Sequence, residues 1–382
     1  MKFISIKKFF TSARFLFICL SVVISIISIV TSDIFLVPKD ATHTIEKGKV
    51  LEVDNRELAE DPYIKNLNIG RQYLSVEVLT GKHKGEQRNI ASSISRYYNF
   101  EAKENMTMLF WIREEHGRIM DMGMYGYSRD IFIISFVGLF FAILILVGRQ
   151  KGFYSVISLV FTLIMIVFFM IPQIINGQSP IMMAIITSVV TTIISIVLIS
   201  GYNKKSLSAI VGVIIGVTIA GVIGYFAGQI SNLSGINMEE AEEMMFLSRE
   251  SGLRVREVMF AGIIIASLGA MMDTGMSIAS SVFELHEVNK NLTFSQLYKS
   301  GMNIGRDTMG TMSNTLILAF AGGSISILIL LVLYNFPYVR LINLDVLGLE
   351  VIQGISGSIG LIFAVPITSL ISAFLITNSN SK

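Results

Sequence analysis

The sequence predicts an all-α polytopic membrane bundle, about eight transmembrane helices with a small β-rich extracytoplasmic domain attached. Three observations lead there. Apolar residues make up 52% of the 382-residue chain and charged residues 15%, where a soluble domain carries about 25% charged; the mean hydropathy is +0.66. Charge is also segregated, because 29 of the 58 charged residues lie within 38–130, while 131–228 holds only Arg149, Lys151, Lys204 and Lys205. Finally, eight apolar runs reach the roughly 17 to 25 residues that a helix needs to cross hydrocarbon. The organisation that follows is a cytoplasmic N-terminus and first helix over 1–37, an extracytoplasmic domain over 38–130 and a multi-helix domain over 131–382.

The first run, 15–37, stands behind Lys2, Lys7, Lys8 and Arg14. It exceeds the roughly 7 to 15 apolar residues of a signal peptide and no A-x-A-like site follows, so it reads as an uncleaved anchor. The charged segment after it reads as β-rich. Residues 44–53 and 73–79 are rich in β-branched side chains, Thr80-Gly81-Lys82-His83-Lys84-Gly85 has turn composition, and Trp111, the single tryptophan, sits in a further strand over 106–113. About 90 residues suffice for a small barrel or short sandwich. His83 and its flanking lysines read as a solvated turn.

The remaining runs are 131–147, 153–171, 181–200, 207–228, 258–283, one within 303–334 and one within 346–376. Lys and Arg concentrate in cytoplasmic loops, and the basic residues of 1–14, 148–152, 202–206 and 284–300 fall on one side under this assignment. Residues 172–180 carry no basic residue and 335–345 carry only Arg340; 229–257, with Arg249, Arg254 and Arg256, fits less well. Both termini are expected in the cytoplasm of a bacterial cell. Residues 237–256, where Asn237 precedes Glu239 and Glu240 and apolar Met244, Met245 and Leu247 follow, read as a short helix lying at the interface.

Ionisable groups inside spans are costly and mark candidate sites. Asp273 stands near the middle of the sixth run, and Ser277, Ser280 and Glu284 share its helical face. The seventh run opens with Asn303, Arg306, Asp307, Gly310, Thr311 and Asn314, spaced to lie along one side. These positions, Asp273, Asn303, Arg306, Asp307 and Asn314, form a candidate transport or ion site, with Asp273 expected to be the countercharge of Arg306. The competing reading is a structural lock, since small and polar residues also join helices in membranes. Glycine rows in the fifth run (Gly212, Gly216, Gly221, Gly224, Gly228) and the last (Gly354, Gly357, Gly360) favour close packing. The seventh run is too long for one straight crossing and holds Gly322-Gly323, so a broken helix is expected, of the kind that lines transporter sites. Pro366 is expected only to kink the last helix.

Much else is excluded. A near-neutral charge makes nucleic acid an unlikely partner class, and a lone Cys19 excludes an internal disulfide or thiolate metal site. The four histidines are scattered, and no hydrolase, P-loop or dinucleotide motif is present, so neither enzyme activity, a cofactor nor a metal is expected.

The stretches Ala261-Gly262-Ile263-Ile264-Ile265-Ala266-Ser267-Leu268-Gly269-Ala270-Met271-Met272-Asp273, Ser280-Ser281-Val282-Phe283-Glu284-Leu285-His286-Glu287, and 300–315 with Thr311-Met312-Ser313-Asn314-Thr315 resemble the YibE/F-like membrane proteins of bacteria. Gly357-Ser358-Ile359-Gly360-Leu361 and Val365-Pro366 extend the likeness, and a looser similarity surrounds Val78 and the 80–85 turn. The resemblance implies a multi-pass protein with an extracytoplasmic domain and, as partner, a second and shorter family member; a homo-oligomer is the other expectation. It implies no activity and assigns no functional residue. Two functions therefore stand open: a transporter or permease for a small solute or ion, with its path between the sixth and seventh helices, or a non-transporting scaffold or sensor whose outer domain binds a partner.

Overall fold

A computed structural model describes residues 13–31, 43–233 and 254–378. The chain divides into two units, Phe35–Ile143 and a second made of Met1–Ile34 with Leu144–Lys382.

The first unit is a curled antiparallel sheet of β1 (Thr44–Glu60), β2 (Asn68–Val78), β3 (Gln87–Ile94), β4 (Thr107–Glu115) and β5 (Arg118–Tyr127), in the order β3-β2-β1-β4-β5. Three meandering strands and a fourth returning beside the first make a Greek key. The long β1 serves both halves. It pairs with β2 from Gly48 to Glu60 and with β4 from Thr44 to Lys49. Gly48 belongs to both ladders, and a Cβ there would stand 2.7 Å from both the Phe110 ring and Val76, so only glycine lets the sheet curl over its core at that point. Val50, Leu74, Val76, Val78, Met108, Phe110 and Ile112 fill that core, alternating with outward residues at the period of two that strands impose. The expected turn forms over 80–85, with Gly81 and Gly85 at positive φ. His83 departs from expectation: it is buried, and its Nδ1 lies 2.8 Å from Glu86 Oε1. Lys82 and Lys84 stay exposed, because the turn folds back and tucks only the imidazole inward.

The second unit is helical. Its helices are α1 (Ala13–Thr31), α2 (Asp130–Ile164, which starts in the first unit), α3 (Ile171–Ile175), α4 (Pro180–Ser200), α5 (Lys204–Ile230), α6 (Val255–Val288), α7 (Phe294–Gly323), α8 (Ile325–Leu333), α9 (Tyr338–Ile342) and α10 (Asp345–Thr377), with a π-helical turn, Met165–Met170, between α2 and α3. Among the described residues six helices are long and apolar enough to cross a membrane, or seven if the α7–α8 pair is one span. The difference from eight arises at Arg149. There the runs expected at 131–147 and 153–171 follow one another without an intervening loop, so they count as one stretch, but a non-helical kink at Arg149 (φ 51°, ψ −126°) parts them where the break was expected, and a Cβ on Gly152 would collide with the Leu144 carbonyl. The expected break after Gly322-Gly323 is present as a 62° bend between α7 and α8. Pro366 lies inside a continuous α10. The first expected run is described as far as Thr31, and the expected interfacial helix of 237–256 falls almost wholly on residues outside the described set.

Sequence-local signals set these boundaries. Asn203 caps α5 by accepting from the Ser206 N–H at 2.8 Å, and Thr293 with Gln296 forms a capping box at the start of α7. The glycine rows do pack. A Cβ on Gly360 of α10 would stand 2.5 Å from the Gly216 carbonyl oxygen of α5, so these two helices meet backbone to backbone.

Candidate functional site

α6 and α7 form an antiparallel pair. Ile278 of α6 lies against Gly305 of α7, and Val282 against Gly301. Four steps along one helix are thus four steps back along the other, and continuing this alignment sets Asp273 across from Gly310 and Arg306 across from Ser277. The expected Asp273–Arg306 contact does not form. Arg306 Nη1 instead donates to Asn303 Oδ1 on its own helix at 3.3 Å. The physical reason is register: the two charges stand four residues apart along the pair, about 6 Å of rise, and both side chains point outward rather than at each other's helix.

All five expected residues are exposed on the surface of the helical unit, Asp273 on α6 and Asn303, Arg306, Asp307 and Asn314 on α7. Buried neighbours explain the orientation. Met271, Thr274 and Ile278 turn α6 inward, and Leu297, Gly301, Gly305 and Leu316 do the same for α7, which leaves the polar rows facing out. Asp273 is followed on the exposed side of α6 by Ser277 and Glu284, with Ser280 half-buried between them. That row ends at a hollow of about 300 Å³ lined by Asn203, Lys204 and Lys205 from the start of α5 and by Ser280, Phe283, Glu284 and Glu287. The hollow holds both signs of charge, so it suits a small polar or ionic guest better than an apolar one.

A second polar feature escaped the sequence. Thr187, Ser188, Thr192 and Ser195 of α4 are buried, and none of their hydroxyls makes a hydrogen bond to the protein; Thr274 of α6 and Thr368 and Ser372 of α10 share both properties. Most other hydroxyls in these helices bond back to a carbonyl one turn earlier, as Thr191 does to Thr187 at 2.7 Å. Hydroxyls barely alter the hydropathy of an apolar run. The usable signal was their spacing on one side of 181–200.

In the sheet unit, a groove of about 860 Å³ runs over β1, β2 and β3, between Glu52, Asp54 and Glu57 on one side and Tyr73, Asn89 and Ala91 on the other. Arg56 is drawn onto Asp54 and holds that carboxyl below its ordinary range. Among the described residues no group of three or more His, Cys, Asp or Glu is arranged to hold a metal.

Neither a curated protein nor a solved structure matches the chain. The model of the YibE/F-like protein family matches residues 136–378, well over half of the sequence and every helix of the helical unit from α3 to α10, and the chain therefore belongs to the YibE/F-like family.

Proposed function

We propose that the helical unit lies in the bacterial cell membrane and moves a small solute or ion along a polar path between α6 and α7 that follows the row on α6. The single observation that supports this reading is the row Asp273, Ser277, Ser280, Glu284 on one side of α6, which leads to the mixed-charge hollow at the start of α5. From Asp273 to Glu284 there are eleven residue steps, about 16 Å of rise, which is close to half of a roughly 30 Å hydrocarbon core. A carboxylate at that depth costs about 3 kcal/mol on insertion scales, and an arrangement that only joined helices would satisfy it with a cation. Asp273 has no cationic partner on α7, so it is the group best placed to meet a mobile one.

The test is flux in proteoliposomes, with Asp273→Asn as the variant and elution volume in detergent as the control for folding. Loss of flux at least tenfold, with unchanged elution, is the expected result, equivalent to about 1.4 kcal/mol on the transport barrier. Unchanged flux removes Asp273 from the path.

The groove of the sheet unit supports a second reading, a scaffold or sensor that recognises a partner there. Under that reading Glu57→Lys abolishes function and leaves the helical unit with nothing to move.

A further inference from the structure

The outward side of α7 is self-complementary in charge and shape. Successive residues turn by about 100° on a helix, so Arg306 and Asp307 diverge by about 50° to either side of a line that passes through Asn303 and Gly310. All four are exposed, Asn314 lies near the same line, and that line points directly away from the buried Gly301 and Gly305. A Cβ added to Gly310 would meet nothing within 4 Å. The centre of the row is therefore open, and glycine lets another backbone come close. Arg306 contacts Asn303 of its own helix, and no ion pair joins Asp307 to any described residue.

A two-fold axis along the bilayer normal has a specific consequence for such a row. A second α7 would run parallel to the first, and the residue about 50° to one side of the line on one copy would face the residue about 50° to the other side on its mate. The residue facing Arg306 would then be Asp307 of the other copy, at nearly the same height, and the reverse pair would form by symmetry. Asn303 would meet Asn303 and Gly310 would meet Gly310 on the axis. Opposite charges on adjacent residues, a small residue at the centre and an amide one turn away are what an isologous pair of helices requires.

We propose that a second copy of this chain covers this side of α7, forming a two-fold dimer held by reciprocal Arg306–Asp307 ion pairs around a Gly310 contact. The inference rests on the helical unit lying in hydrocarbon, as proposed above, and is independent of whether anything is transported. In hydrocarbon an uncovered row of this kind has no solvent to satisfy it, and a copy of the same chain is the occupant whose charges match it at every position.

Oxidative cross-linking in native membranes tests this. Cys19 is the only cysteine, so the full chain with Cys19→Ser receives Gly310→Cys or Asn303→Cys. As a control, Phe226→Cys is placed on α5, where Phe226 is 59% exposed. The expected result is an adduct of twice the 42.2 kDa chain mass at positions 303 and 310 and none at 226, with differently tagged copies co-purifying. Arg306→Asp or Asp307→Arg alone removes the adduct, and the double reversal Arg306→Asp with Asp307→Arg restores it. The proposal is overturned by equal adducts at position 226, by an adduct of another mass, which assigns the face to a different protein, or by no adduct at either seam position in variants that elute in detergent as the parent chain does. Flux unchanged in Asp273→Asn with the adduct intact fails the transport reading alone, and flux lost in Asp273→Asn with no adduct at 303 or 310 fails the dimer alone.

Discussion

Asp61 carries more local structure than any other carboxylate of the sheet unit. Its side chain is fully buried. It accepts from the Tyr63 and Ile64 N–H groups at 2.8 and 3.0 Å and from Arg96 Nη2 at 3.1 Å, while the Arg96 guanidinium also lies 5.0 Å from the Tyr63 ring centre. The Arg96 hydrogen bond, seconded by the two N–H groups, holds the Asp61 carboxyl below its ordinary range. A carboxyl whose folded value is depressed contributes stability that is complete above its unfolded value, about 3.9, and is lost as pH falls through the folded value. Unfolding followed by Trp111 fluorescence should thus show a midpoint that drops between about pH 5 and about pH 3, and Asp61→Asn should flatten part of that drop while lowering the midpoint at pH 7. An equally steep acid limb in the variant would exclude Asp61 as the cause. The unpartnered hydroxyls of α4 make the opposite prediction. A buried hydroxyl that finds no partner costs about 1 to 3 kcal/mol, so Thr192→Val, which keeps the shape, should raise the thermal midpoint in detergent by an amount worth about 1 kcal/mol. A fall of that size would mean that the hydroxyl is satisfied in the working protein.

At the scale of elements, the packing of α5 on α10 was legible and much of the sheet was not. The glycine rows of both helices announced a close crossing, and Gly216 and Gly360 make it. Gly360→Ala would push a methyl group into the Gly216 carbonyl oxygen and to 2.6 Å from Ala220, a backbone contact that no rotamer relieves. It should cost about 1 to 3 kcal/mol, read as a lower unfolding temperature in detergent. Gly262→Ala is the control: nothing lies within 4 Å of a Cβ there, and alanine favours the helix by roughly 1 kcal/mol. Equal losses at the two positions would mean that the crossing is not what selects glycine. β1, β2 and β4 were visible because β-branched and aromatic residues mark them. β3 reads QRNIASSI and β5 reads RIMDMGMYGY, and neither has that composition. Their strand form comes from pairing, β3 with the rows of β2 and β5 with β4. In the helical unit both breaks were readable, the bend after Gly323 from length and the kink at Arg149 from the basic residues that stand between two apolar runs.

For the whole molecule, the charge asymmetry of the sequence marks the segment 38–130, and polar residues within apolar runs single out α6 and α7. The sequence could not give their register. A one-turn offset between facing helices is decided by which small residues interlock, here Gly301 and Gly305 against Val282 and Ile278, and that offset turned an expected ion pair into two outward-facing charges. The sheet unit is self-contained by the same kind of reasoning. Its five strands and its core, from Val50 to Met122, come from one uninterrupted stretch, and a domain of this size buries enough surface to fold by itself. Residues 43–128 expressed alone should therefore be soluble and unfold cooperatively, with Trp111, packed over Gly123, reporting the transition. A fragment without a cooperative transition would show that the helices are needed to fold it. Once the fragment folds, deleting 44–126 from the full chain separates the two functional readings: flux within about twofold of the intact protein places the path in the helices, and flux lost from a chain that still elutes as a folded species makes the sheet unit the working part.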